Sequence, residues 1–130
     1  MMKRRWYVIQ NILEHVEAGD LRQFCNSDKY WSYLENIKIS DNDYVGHIEI
    51  LVDAGIIKNC EVRRDMNGEI ILLNVNGPFI SMEGHDLLDA LRDQNVWDRI
   101  RDKAKQLGVS LSWEFIKAAV PIVIREMLQK

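Results

Sequence analysis

The chain has 130 residues, of which 47% are hydrophobic, 28% are charged and two are prolines. This length suits one globular domain with a single core, and the composition differs strongly from that of disordered chains. Seventeen Lys and Arg residues against twenty Asp and Glu residues give a net charge of −3. This balance excludes a generally basic nucleic-acid binder, although it is compatible with a local basic patch.

Two absences bear on the cellular compartment and on cofactors. No apolar run is long enough to span a bilayer, and no signal-peptide-like stretch follows the first residues, so we expect a cytoplasmic protein. Cys25 and Cys60 lack a CxxC pattern and a His at metal-ligand spacing, so they are expected to be reduced thiols. We therefore expect no metal and no cofactor.

The first half of the chain predicts three helices. The spacing of apolar residues predicts a first helix from Trp6 to Val16 and a second around residues 30–37. A third helix has clearer ends. Ser40 stands three residues before Asp43 in a variant of the capping box, and Gly55 suits the left-handed position that follows a helix.

A β-hairpin follows the third helix. Two strand-like runs, residues 60–65 and 69–75, flank Asn67-Gly68. Asn-Gly is a strong signal for a type I′ turn, in which both central residues have positive φ. The sequence therefore predicts a two-residue hairpin turn here.

The remaining sequence predicts helices again. Ser81 can cap a helix that runs to about Asp93, and a further helix from about residue 95 ends at Gly108. The last helix starts near Ser110 or Ser112 and runs almost to the end of the chain. Pro121 is expected to kink or split it, because the ring removes a backbone donor and clashes with the preceding turn.

This element order predicts a mostly helical α+β fold. Three helices, a hairpin and a further helix match a winged helix, which is a helix-turn-helix with a two-stranded wing, here with extra C-terminal helices. Residues 1–93 would form the winged-helix-like domain, and residues 94–130 a helical extension packed on it as one compact unit. A hairpin laid on an unrelated helical bundle is the alternative.

Three parts of the chain carry recognisable patterns: Ile80–Asp93 with Val96-Trp97 and Lys103–Lys105, then His47–Ile57, and the basic start Lys3–Trp6. Together they resemble the signature of a small phage and prophage family classified as domain of unknown function 2513. Ser81-Met82 stands where that signature has Thr-Trp, which keeps the cap but loses an aromatic ring. The resemblance implies a winged-helix-like fold and a mobile-element origin in a bacterial host cell, and it implies no activity.

Glu83, His85, Asp86 and Asp89 are the residues most suggestive of chemistry, because carboxylates and an imidazole within two helical turns can act as acid and base. A zinc site would need a further ligand from elsewhere in the chain. We favour a structural role, with Glu83 near the positive end of the helix dipole and Asp89 paired with Arg92. An enzyme centred on His85 is the weaker alternative, and we expect no catalytic residues.

The third helix bears most directly on DNA binding. A DNA-reading helix offers Arg, Lys, Asn or Gln to the major groove, whereas this one carries four acids and no Lys or Arg. Such a helix would be repelled by phosphates and suits a basic protein partner better, although it could be merely a solvated face. The positions expected to be exposed for a partner are Asp43, His47, Glu49, Ile50 and Asp53.

Basic residues collect at two other places, the N-terminal arm and the hairpin. A wing and an arm can hold phosphates without a recognition helix, although scattered surface charge is the commoner explanation. The alternative function is therefore a DNA-binding transcriptional regulator that uses Lys3, Arg4, Arg5, Lys58, Arg63 and Arg64.

The last helix is apolar on more than one side. One side can cover the core, so the other predicts a homodimer or larger oligomer, unless the whole helix is buried within one chain. The stripe expected to make this contact consists of Trp113, Ile116, Val120, Val123 and Met127.

The net charge is unevenly distributed along the chain. Residues 20–60 hold seven acids and four bases, while the other portions nearly cancel. The negative charge thus lies in the half where a DNA reader would need positive charge. The sequence favours a non-enzymatic protein that binds another protein as a regulator or as a defence or counter-defence adaptor.

Overall fold

A computed structural model describes residues 5–75 and 77–128, without the side chain of Trp113. The fold is α+β and mostly helical, as the sequence predicts. The helices are α1 (Trp6–Ala18), α2 (Leu21–Cys25), α3 (Asp28–Ile37), α4 (Asp41–Asp53), α5 (Met82–Arg92), α6 (Gln94–Leu107) and α7 (Trp113–Leu128). The strands are β1 (Ile57–Lys58), β2 (Glu61–Arg64), β3 (Ile70–Asn74) and β4 (Phe79–Ile80).

The chain divides into two compact units, Met1–Ser81 and Met82–Lys130. The division falls between β4 and α5, one helix earlier than the boundary at residue 93 that the sequence suggested. The reason is that α5 packs on α6 and α7 and belongs with them.

In the first unit, α1 and α4 form the centre of the core. Helix α1 packs on α2, α4 and β4, and its inward side is fully apolar and buried. The rings of Tyr30 and Tyr44 are 5.0 Å apart in an edge-to-face arrangement, and Phe24 stacks on His15 at 3.9 Å. This aromatic cluster explains why α2, which the sequence did not predict, is held as a helix of only five residues. Phe24 on α2 contacts rings from three other positions.

The ends of α4 agree with the sequence prediction. The Ser40 hydroxyl accepts a hydrogen bond from the Asp43 amide at 3.0 Å, and Gly55 takes the left-handed conformation with φ +76°. Three residues, 38–40, connect α3 to α4, and Lys38 among them has a φ of 58°.

The strands form two antiparallel pairs. Ile57 of β1 lies opposite Ile80 of β4, a pairing that the sequence did not predict. Strands β2 and β3 form the expected hairpin.

The type I′ turn predicted for this hairpin is wrong. Among the described residues Gly68 has a positive φ but Asn67 does not. The Asp65 carbonyl accepts from the Gly68 amide at 3.1 Å, and the Asp65 amide donates to the Glu69 carbonyl at 2.8 Å. The loop therefore has three residues, with the left-handed glycine in third place. The Asp65 carboxylate stabilises this three-residue loop by accepting hydrogen bonds from the amides of Asn67 and Glu69, at 2.9 Å each.

The second unit consists of α5, α6 and α7. Asp93 caps α6 by accepting from the amides of Asn95 and Val96. Gly108 ends the helix in the left-handed conformation, as the sequence predicts. The sequence predicts that Pro121 kinks or splits the last helix. Helix α7 runs through Pro121 without a break, so the split does not occur. Within the described part of the chain, no helix has both the length and the apolar character that crossing a membrane requires.

Candidate functional site

Helix α4 is the element that the sequence singled out for partner binding, and nearly half of its residues belong to the core. Six of its thirteen residues are buried. Of the expected contact positions, Asp43, Glu49 and Ile50 are half-buried, and Asp53 is exposed. Asp43, Ile50 and Asp53 fall at i, i+7 and i+10 and lie on one side of the helix, which we call the acidic side of α4.

The expected exposure of His47 is wrong, since its exposed fraction is 0%. Its Nε2 accepts a hydrogen bond from the Arg5 amide at 3.1 Å, and its Nδ1 lies 2.7 Å from the Asp43 carbonyl oxygen. A backbone amide only donates, so Nε2 carries no proton and Nδ1 donates to Asp43. The imidazole is therefore neutral and ties the start of α1 to α4.

Glu49 is committed to the hairpin. Nε of Arg64 lies 3.1 Å from both carboxylate oxygens of Glu49. Nη1 of Arg64 also donates to Asn42 Oδ1 at 3.2 Å and to the Gly68 carbonyl at 2.8 Å. The arginine thus joins α4 to the hairpin, and its charge is balanced within the chain.

The other basic residues proposed to bind nucleic acid lie on different elements of the chain. Arg63 lies 2.7 Å from Glu61 of its own strand, and Lys58 is exposed on β1. Arg5 is half-buried just before α1, and Lys3 and Arg4 lie outside the described residues. The two hairpin arginines therefore each carry a carboxylate partner.

The apolar stripe expected to make an oligomer contact is largely internal. Ile116, Val120 and Val123 are exposed by 3% or less, and Met127 is half-buried, while the side chain of Trp113 is outside the described part. The three buried residues are core residues, so the expectation that they face another subunit is wrong. Among the described side chains of α7, the large apolar residues that are exposed are Ile122 and Leu128.

The residues that suggested acid–base chemistry do not converge. Glu83 lies 3.6 Å from Lys117 Nζ, and His85, Asp86 and Asp89 are exposed on α5. In the described part of the chain, no group of three or more His, Cys, Asp or Glu residues could hold a metal ion.

The two thiols are poor nucleophiles. Burial raises the pKa of Cys25 to about 12, with Asp41 and Cys60 contributing, and burial raises the pKa of Cys60 to about 11. Thiolate is the reactive form of cysteine. At neutral pH both residues are almost entirely protonated and are therefore unreactive.

Each unit carries a groove that sequence reasoning missed. One in the first unit, of about 470 Å³, lies between α2, α3 and β3 and is lined in part by Trp31, Leu72 and Asp41. One in the second unit, of about 400 Å³, is lined by Asp86, Asp89, Ala90, Asp93, Val96, Ile124, Met127 and Leu128. Only the spacing of the three aspartates hinted at the second groove, because the apolar residues come from a different helix.

The comparisons with known proteins agree with the resemblance noted in the sequence. The family model described as "Hypothetical protein (DUF2513)" matches residues 3–110. The chain belongs to this family. An "Uncharacterized protein" of Haemophilus influenzae (strain ATCC 51907 / DSM 11121 / KW20 / Rd) is 26% identical over 129 residues, which cover 98% of this chain and 99% of the relative. No solved structure matches the chain.

The DUF2513 match and the relative differ in extent. The family match ends at residue 110, before α7 begins at Trp113, so it includes α5 and α6 but not the last helix. The Haemophilus protein aligns over almost the whole chain, α7 included. The sequence that forms α7 is thus part of the alignment with this relative, although it lies beyond the family match.

Proposed function

We propose that this DUF2513 protein is a non-enzymatic, winged-helix-type protein of phage or prophage origin that acts in the cytoplasm by binding a basic protein partner. It would serve as a regulator or as a defence or counter-defence adaptor. The short connection between α3 and α4, followed by the β2–β3 hairpin, supports the winged-helix assignment, since a helix-turn-helix has a turn of three or four residues.

The observation that carries the proposal is the charge of the accessible part of α4. The helix contains no Lys or Arg, His47 is buried within it, and its exposed end carries Asp53. Ile50 adds half-buried apolar area beside these carboxylates. A surface of this kind repels phosphates and attracts a partner that offers Lys or Arg around an apolar contact.

The basic residues of the hairpin do not change the conclusion drawn from the charge of α4. A wing that grips DNA needs cations that are available to phosphates. Arg64 is bound to Glu49, Asn42 and Gly68, and Arg63 to Glu61, so moving either arginine to a phosphate would first break bonds within the protein. DNA binding through the wing and arm therefore stands as the competing outcome.

The test is partner capture with a matched pair of charge-reversal variants. Asp43→Lys/Asp53→Lys changes the acidic side of α4 and leaves Glu49 with Arg64. Glu17→Lys/Glu35→Lys changes the net charge equally at exposed positions near the ends of α1 and α3, where a cation is favourable to the helix dipole. Tagged full-length proteins are used on lysate of the source organism, captured proteins are identified by mass spectrometry, and binding is repeated with the purified partner.

We expect the Asp43→Lys/Asp53→Lys variant to lose capture of the partner and the Glu17→Lys/Glu35→Lys variant to keep it. Equal capture by both variants would contradict the role of α4. Anisotropy titrations with duplex DNA at about 50 and 200 mM salt supply the second arm. Tight binding that depends on the DNA sequence would replace the proposal with the regulator alternative.

A further inference from the structure

The groove of the second unit combines an acidic rim with an apolar floor. Asp86 and Asp89 are exposed and lie one turn apart on α5, and Asp93 follows one turn later at the start of α6. The floor comes from Val96 of α6 and, on α7, from Ile124, Met127 and Leu128. Among the described residues that line the groove there is no Lys or Arg.

The floor leaves apolar surface uncovered. Leu128 is exposed by 79%, and Ile124 and Met127 are half-buried, whereas Val96 is buried beneath them. Together with the carboxylates of the rim, these apolar side chains offer a partner both an apolar contact and a charged one. Met127 adapts its shape easily, because its side chain is unbranched and polarizable, and can therefore receive side chains of different forms.

We propose that this groove binds a basic amphipathic helix of a partner protein. The apolar side chains of that helix contact Met127 and Leu128, and its Lys or Arg side chains contact Asp86 and Asp89. The rim favours a helix because its three carboxylates recur once per turn over about 10 Å, and a neighbouring helix repeats its own side chains at the same interval. An amphipathic helix laid in a groove is a common mode of recognition.

A second copy of this chain fits the groove poorly. A two-fold contact centred on the groove would bring the rim carboxylates of the two copies close to one another. Like charges brought together at an interface are repulsive, and the groove offers no cation among its described lining residues to offset them. The complementary occupant is therefore a cationic segment of a different protein.

The proposal is independent of the acidic side of α4, since every described residue that lines the groove belongs to the second unit. Asp43→Lys/Asp53→Lys should leave binding to the groove unchanged. An experiment can therefore contradict binding at the acidic side of α4 without contradicting binding at the groove, and the reverse also holds.

The test uses the full chain and a fluorescent peptide of about 14 residues, with Leu at helical spacing on one side and Lys on the other. Fluorescence anisotropy measures its dissociation constant. A peptide with Glu in place of Lys tests the charge, and a peptide of the same composition in scrambled order tests the amphipathic pattern. Asp86→Lys/Asp89→Lys is compared with Asp98→Lys/Asp102→Lys, an equal charge change at exposed positions of α6 that line a different cavity.

We expect Asp86→Lys/Asp89→Lys to weaken binding by about tenfold and the α6 variant by less than about twofold. Leu128→Gln, at an exposed position, should weaken binding while leaving the melting temperature unchanged. The proposal is overturned if both lysine variants weaken binding equally, if the Glu or scrambled peptide binds as well, or if light scattering shows a dimer that Leu128→Gln disrupts.

Discussion

Nε of Arg64, on β2, lies 3.1 Å from both carboxylate oxygens of Glu49, on α4. Both side chains are largely shielded, with exposed fractions of 25% and 32%. Charge-assisted hydrogen bonds strengthen when water is partly excluded, so this pair can fix the hairpin on the helix. The same contact occupies the carboxylate that the sequence suggested for a partner and one of the arginines suggested for DNA.

A double-mutant cycle measures this link. Glu49→Gln, Arg64→Met and the double variant should show a coupling of about 1 kcal/mol in the free energy of unfolding. The pair Glu61 and Arg63 is the control, because its side chains are exposed by 49% and 67%. Its coupling should stay below about 0.5 kcal/mol in urea unfolding at the same ionic strength. Equal couplings for the two pairs would show that shielding does not matter here.

The hydrogen bonds of His47 predict both its tautomer and its contribution to stability. Long-range nitrogen–proton NMR spectra at pH 7 should show a protonated Nδ1 and an unprotonated Nε2, because Nε2 accepts from the Arg5 amide. His47→Phe leaves that amide without its acceptor and should cost about 1–3 kcal/mol of unfolding free energy. It should also speed hydrogen exchange at the Arg5 amide.

The control for His47 is His85→Phe on the exposed part of α5, which should change stability by less than about 0.5 kcal/mol. A protonated Nε2, or equal effects of the two substitutions, would contradict the role of His47 as a neutral link between α1 and α4.

The sequence predicted the elements that local chemistry determines. The Ser40 cap, the glycines that end helices and the hairpin around Gly68 all follow from short-range preferences. The buried position of His47 was also readable, since it lies three residues after Tyr44 and four before Leu51, on the inward side of α4. Its polar character, rather than its position, led to the wrong expectation.

The features that escaped prediction depend on long-range contacts. Two residues of β1 pair with two residues of β4 across the whole hairpin, which leaves no periodic pattern to detect. For Ile116, Val120 and Val123 the sequence showed an apolar stripe but not what covers it. An apolar face looks the same whether it packs on its own chain or on another, so only the structure separates the two cases.

The left-handed conformation of Gly68 gives a prediction for the hairpin. Its φ is +82°, and an added Cβ would meet nothing within 4 Å. Gly68→Ala should therefore cost about 1–2 kcal/mol of unfolding free energy through backbone strain alone. Gly68→Asn should cost clearly less, because asparagine tolerates this conformation better than other residues do. Equal losses for the two variants, measured by urea unfolding, would point to a cause other than backbone conformation.

Ionisation of the buried thiols predicts that stability falls at alkaline pH. Burial raises the pKa of Cys25 to about 12 and of Cys60 to about 11, so the unfolded chain releases these protons at lower pH than the folded chain. Stability from this source is complete below about pH 9 and is lost as the pH rises towards 11–12. Urea unfolding at pH 7–10 should show the decline, and Cys25→Ala/Cys60→Ala should retain a larger share of its own pH 7 stability at pH 10. The variant still declines, because burial also raises the pKa of Tyr33 to about 12. Identical pH profiles for the two proteins would show that the thiols do not contribute.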